Sequence, residues 1–103
     1  MFETDAYSDL FARIAAVRGR REEFLDSVRA GDVALEAIFS VGAIDAVIGS
    51  MKVLPAVESL PDSGKVQTRR AFEAVDIAED DLVSKVSAAQ VRGLRSALEL
   101  HAR

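Results

Sequence analysis

An all-α fold is predicted by three features of this chain. Proline occurs only twice in 103 residues, while alanine, leucine and valine are plentiful, a composition that favours helix. Apolar residues recur at three- and four-residue steps, the period of a helix face. Residues with helix-start and helix-stop chemistry punctuate those runs. At this length the chain is expected to be one domain, residues 1–103, burying roughly 65% of its unfolded surface in a single core. No internal repeat and no low-complexity linker breaks it.

Residues 5–29 read as one long helix. Leu10, Ile14, Val17, Phe24 and Val28 form a stripe that Tyr7, Phe11 and Leu25 widen and Arg21 interrupts. Gly31 is placed to end it and Asp32 to cap the next helix. The remaining residues, 32–103, hold several shorter elements. "VALEAIFSV" is a short apolar helix expected to stop near Gly42. Pro55 fits the first turn of a helix running to about Leu60, with Lys52 and Val53 in the turn before it. Pro61 to Gly64 is a tight connection. Lys65 to Val75 is the next helix, with Val66, Ala71 or Phe72, and Val75 facing inward. "DIAEDDLVSKV" is irregular or a single turn. Ser87 and Gln90 have capping-box spacing and open the last helix, whose inner stripe is Val91, Leu94, Leu98 and His101.

Composition narrows the function. With no cysteine there is no disulfide framework and no thiol chemistry. The acidic N-terminus lacks the basic and apolar regions of a secretory signal, and the run "AIFSVGAI" is far shorter than the ~20 residues that span a bilayer. A cytoplasmic protein without a membrane partner is expected. The net charge of −4 argues against a general polyanion binder, so a nucleic-acid role must rest on a local patch.

Such a patch exists. Residues 52–72 carry four cations against two anions, and residues 85–103 four against one, whereas residues 73–81 carry five anions and no cation. In "ESLPDSGKVQTRRA" a helix begins at or near Gly64, and its first amides lack intrahelical partners. Those amides and the helix dipole favour an anion. Glycine admits a phosphate close to the backbone, and Lys65 adds a mobile charge. Thr68, Arg69 and Arg70 follow within a turn and a half. The arrangement suits a sequence-independent grip on a nucleic-acid backbone; a plain turn with a solvated cationic face fits the same residue types. A nucleotide-binding P-loop fits poorly, because Ser59 stands where its first glycine belongs and Val66 where its magnesium-binding hydroxyl belongs.

Other groups suggest no catalytic chemistry. His101 is the sole histidine and has no cysteine or second histidine to complete a metal or nucleophile set. Glu79, Asp80 and Asp81 are adjacent acids without the loop glycine of a calcium site. Arg18, Arg20 and Arg21 around Gly19 are placed to touch phosphate late in the first helix, but Glu22 and Glu23 follow at once and a mixed-charge surface fits equally. No enzyme activity, cofactor or metal is expected.

The segment "MKVLPAVESLPDSGKVQTRRAFEAVDIAEDD" resembles the actinobacterial integration host factor family of small nucleoid-associated proteins. Met51-Lys52-Val53, Leu60-Pro61, Gly64-Lys65 and Ile77-Ala78 carry the resemblance, which extends over about residues 10–100. It implies a long N-terminal helix packed on a compact helix–two-turns–helix bundle. It also implies nonspecific or weakly specific binding of double-stranded DNA in the nucleoid. The resemblance rests the hairpin on DNA phosphates; with the cations counted above, the expected contacts are Pro61, Gly64 and Lys65 on phosphates, Thr68, Arg69 and Arg70 in support, and Arg92 and Arg95 as distal contacts. The chain departs from the family in two places. Asp62 puts a negative charge beside the phosphate site, and Asp81 and Leu82 stand where the family carries arginines. Those acids support an alternative function: an adaptor of the same fold that binds a basic protein through Glu79, Asp80 and Asp81.

Overall fold

The computed structural model describes the backbone of residues 2–61 and 63–102 and the side chains of residues 8–61 and 63–98. Its elements in order are α1 (Phe2–Arg29), α2 (Leu35–Ile44), α3 (Ala46–Gly49), α4 (Val53–Glu58), α5 (Lys65–Ala74), a 3₁₀ turn (Val83–Lys85) and α6 (Ala88–Ala102). The β-type pairing among the described residues is one isolated antiparallel bridge, Lys52 with Leu82. The expectations for Asp62 and for the His101 side chain fall outside the described residues.

The core is built from Val28 of α1, Leu35 and Ile38 of α2, Ile48, Met51, Val53, Ala56 and Val57 of the α3–α4 region, Ala71 and Phe72 of α5, and Ile77, Val83 and Leu94. Phe72 is the largest side chain fully enclosed there. Truncating such a ring costs about 3–5 kcal/mol.

Only the C-terminal half of α1 packs on this body. Phe24, Leu25 and Val28 enter the core or lie against it. Leu10, Phe11 and Ile14, expected to face inward, are 51%, 65% and 40% exposed. The helix outruns the body: 28 residues at 1.5 Å each extend about 42 Å, and the molecule measures 59 × 25 × 23 Å.

Arg21 interrupts the stripe because it faces polar backbone. Its Nε donates to Val47 O at 3.3 Å and its Nη2 to Ser50 Oγ at 2.8 Å. Arg20 pairs with Asp45. Asp45 in turn caps α3, accepting from Val47 N at 2.9 Å and Ile48 N at 3.4 Å. Two of the three arginines around Gly19 therefore clip α1 to α3.

Two turns end in Schellman geometry. After α1, Gly31 takes φ +84°, Asp32 N donates to Ser27 O and Gly31 N to Val28 O. Asp32 is thus used in closing α1. The N-cap of α2 is Ala34, without a side-chain hydrogen bond. Gly42 does not stop α2, which runs on to Ile44. It allows close packing instead: a Cβ on Gly42 would stand 2.5 Å from Val83 Cγ1, and one on Gly49 would stand 2.3 Å from Gly42 O. Val53 begins α4 with Lys52 as its N-cap, and Pro55 sits in the first turn, where its missing N–H costs nothing. Ser87 and Gln90 form the reciprocal box expected of them, at 2.9 and 3.1 Å.

Candidate nucleic-acid interface

The connection from α4 to α5 is short and partly exposed. Leu60 N donates to Val57 O and Ser63 N to Leu60 O, which turns the chain. Pro61 is exposed, and its Cγ lies 3.8 Å from where a Gly31 Cβ would be. The hairpin turn and the α1–α2 turn are therefore neighbours.

Gly64 is the N-cap of α5, with φ −83° and ψ 155°, a conformation open to any residue. A Cβ there would meet only the Gln67 amide, at 3.6 Å or beyond. The fold does not need glycine at this position. What glycine leaves is open space over the helix end. Gln67 reaches back so that its Oε1 accepts from Gly64 N at 3.4 Å. This is half of a capping box, since glycine has no side chain to return the bond. Thr68 N is the first amide with an intrahelical acceptor, Gly64 O at 2.9 Å. Among the described residues the amides of Lys65, Val66 and Gln67 have no hydrogen-bond partner. Three free donors and the positive end of a ten-residue helix thus face solvent beside an exposed Lys65.

Thr68 does not reach this surface. It is fully buried, and its hydroxyl donates to Gly64 O at 2.9 Å. Thr68, Ala71 and Phe72 make the inner face of α5, which turns Val66 outward to 63% exposure. The assignment of Val66 to the inner stripe is corrected accordingly. A buried threonine whose hydroxyl is satisfied one turn back costs little, so it can hold a position that apolarity alone gives to valine. The outer face of α5 reads Val66, Arg69, Arg70 and Glu73, all exposed. Val66 and Gln67 lie at this helix end and are passed over by charge counting; the Gly64-x-x-Gln67 spacing is the signal for the second.

The cations fall into two groups. Lys65, Arg70 and Arg92 are exposed and make no ion pair or side-chain hydrogen bond among the described residues. Arg69 and Arg95 hold carboxylates. Arg69 Nε lies 3.1 Å from Glu79 Oε1, both side chains half exposed. Arg95 grips Glu36 of α2 with two donors, its Nε lying 2.6 Å from Glu36 Oε2. The hydrogen bond from Arg95 holds the Glu36 carboxyl below its ordinary value of 4.5 against a small opposing effect of burial. Arg95 thus ties α6 to α2, and none of the described hydrogen bonds or ion pairs joins Arg92 or Arg95 to the hairpin.

The acidic connector is largely spent on structure. α5 ends in a second Schellman turn, with Ile77 N donating to Phe72 O and Asp76 N to Glu73 O. Asp76 takes the left-handed position, φ +59°, usually given to glycine. Gln90 Nε2 donates to Asp76 O at 3.2 Å, joining that turn to the start of α6. Asp81 closes the following turn, its Oδ2 accepting from Ala78 N at 3.0 Å, while its own carbonyl accepts from Val53 N at 2.7 Å. Among the described residues there is no cluster of three metal-ligating side chains, and no helix is long and apolar enough to cross a membrane.

Comparison with known proteins places this arrangement. The S13-like H2TH domain family matches residues 28–98. Integration host factor of Streptomyces coelicolor is 32% identical over 82 residues, covering 80% of this chain and 77% of that protein. A solved structure of sIHF bound to an 8-bp palindromic DNA superposes with a TM-score of 0.76 at 30% identity, covering 84% of this chain and 98% of that one. The all-helical architecture, the two turns around α5 and the matched span agree: this chain belongs to the S13-like H2TH family, among the integration host factors of actinobacterial type.

Proposed function

We propose that the protein binds double-stranded DNA through the phosphate backbone, as a nucleoid-associated architectural protein without enzymatic activity. The observation that carries this is the open N-terminus of α5. Its three unpartnered amides lie beside an exposed lysine and a glycine for which the fold has no use. That combination fits a phosphate oxygen brought close to the backbone. The relative whose structure holds DNA supports the reading. Lys65 and Arg70 supply the adjoining charge, and Arg92 extends it along α6. Sequence preference is weak, because no array of amide side chains aims outward from α5 to read base edges.

The adaptor alternative has less to stand on. Of Glu79, Asp80 and Asp81, the first is paired with Arg69 and the third is bonded to Ala78 N. Only Asp80 is both exposed and unengaged among the described residues.

A fluorescence-anisotropy titration of a labelled duplex tests the proposal. With three or four phosphates neutralised, log affinity should fall against log salt with a slope of about −3 to −4 between about 50 and 200 mM. A folded protein that leaves the duplex unbound at low salt overturns it.

A further inference from the structure

We infer that the projecting half of α1 is a self-docking surface, on which a second copy of this chain lies antiparallel with its two-fold axis level with Ala12. The inference joins three observations. First, the stripe that anchors α1 through Phe24, Leu25 and Val28 continues outward uncovered, with Leu10 and Phe11 more than half exposed and Ile14 close behind. Second, its spacing is a heptad seam. Tyr7, Leu10, Ile14 and Val17 occupy alternating a and d positions, placed here by register alone for Tyr7. These positions are symmetric about residue 12. Run antiparallel, Leu10 meets Ile14 of the other copy and Tyr7 meets Val17, so each a position packs on a d position in four successive layers.

Third, the charges fall about the same centre. Glu3, Asp5 and Asp9 lie on one side of Ala12, and Arg13 and Arg18 on the other, while Arg20 and Arg21 are already bonded to the body. An antiparallel pair sets the acidic end of each helix along the stretch of its partner that carries Arg13 and Arg18. Asp5 and Asp9 sit on outer positions and act at longer range, so the attraction weakens with salt. A parallel pair would stack like charge on like. The body limits the overlap: Arg21 already touches Val47 O and Ser50, so the partner helix ends where α3 begins. Eleven residues of seam bury less than a permanent dimer needs, and the association is therefore weak and concentration-dependent.

The pairing would hold two DNA-binding bodies at opposite ends of one rod, so that a dimer can bridge duplexes; that consequence rests on the proposed function, but the pairing itself does not. Sedimentation velocity from low micromolar to millimolar concentration should show a reversible dimer. In Leu10→Gln/Ile14→Gln, which leaves the core untouched, the dissociation constant should rise at least tenfold, while single-duplex affinity stays within twofold. The chain has no cysteine, so orientation can be read directly. An oxidised mixture of Leu10→Cys and Ile14→Cys chains should yield mainly the mixed disulfide. A protein that stays monomeric to millimolar concentration, a dimer that survives the double substitution, or a predominance of like-with-like disulfides would each overturn the inference. Loss of duplex binding in a protein that still dimerises would overturn the proposed function and leave the pairing standing.

Discussion

The two turns that flank α5 are built from similar residues and end in opposite conditions. The turn before it, Pro61 to Gly64, leaves three amides, a lysine and the space over a glycine unused. The connector after it, Val75 to Leu82, consumes what it has: the Asp76 amide and carbonyl, the Ile77 amide, and the Asp81 carboxylate and carbonyl all have partners inside the protein. A polar group committed to its own chain cannot take a ligand without first breaking that bond. Turn chemistry alone therefore does not mark a site. Unsatisfied turn chemistry next to a free charge does.

The sharpest way to break this contrast is to reverse the charge at the open turn. Lys65→Glu should weaken duplex binding at least tenfold, about 1.4 kcal/mol, and flatten the salt slope by about one phosphate. Helical circular dichroism should be unchanged, since an acid in the first turn suits the helix dipole. Equal affinity in the folded variant would move the site away from α5.

At the closed turn the expected loss is in stability. Asp81→Ala removes the acceptor for Ala78 N and should cost about 1 kcal/mol, which lowers Tm by about 4–8 °C for a domain of this size. Asp81→Asn keeps an acceptor and should lose less than half of that. Identical melting of all three proteins would mean that the carboxylate does not hold the turn.

A smaller effect is expected where α5 meets the connector through the Arg69–Glu79 pair. Glu79→Ala frees a guanidinium beside the site, and duplex affinity should rise about threefold, under 1 kcal/mol as befits an exposed pair. An isothermal titration that finds no gain would place Arg69 outside the contact.

The smallest change is the most discriminating in sign. Gly64→Ser adds a good N-cap and should raise stability by a few tenths of a kcal/mol. It also fills the space over the amides, so DNA binding should weaken. Stability and affinity moving together, in melts and titrations of the same variant, would contradict the assignment of Gly64 to ligand approach.

Much of the fold was legible because its signals are local. Gly31, Pro55 and the Ser87–Gln90 box each act through bonds within about four residues, and each sits where its spacing placed it. The open helix end proposed as the site was legible at Gly64 and Lys65 for the same reason. Its remaining members were not. Thr68 and Val66 exchanged faces because a hydroxyl satisfied by Gly64 O is as easily buried as a methyl. Arg69 and Arg95 were counted as free charge, but their partners lie 10 and 59 residues away, beyond the reach of any periodicity. The apolar stripe of α1 showed its own helix correctly and gave no sign of where the supporting body ends.

The contact between Gly42 and Gly49 bears on how such a protein can change over generations. Neither position can take even one methyl group without forcing α2, α3 and the 83–85 turn apart. Nearly every substitution there is paid in folding. Positions 64, 65, 69, 70 and 92 carry no such burden, because nothing inside the molecule leans on their side chains apart from one exposed ion pair. Lineages are thus free to raise or lower the charge of the binding face step by step, each intermediate still folded, while the glycine joint stays fixed. A net charge of −4 is reachable by that route without crossing an unfolded ancestor.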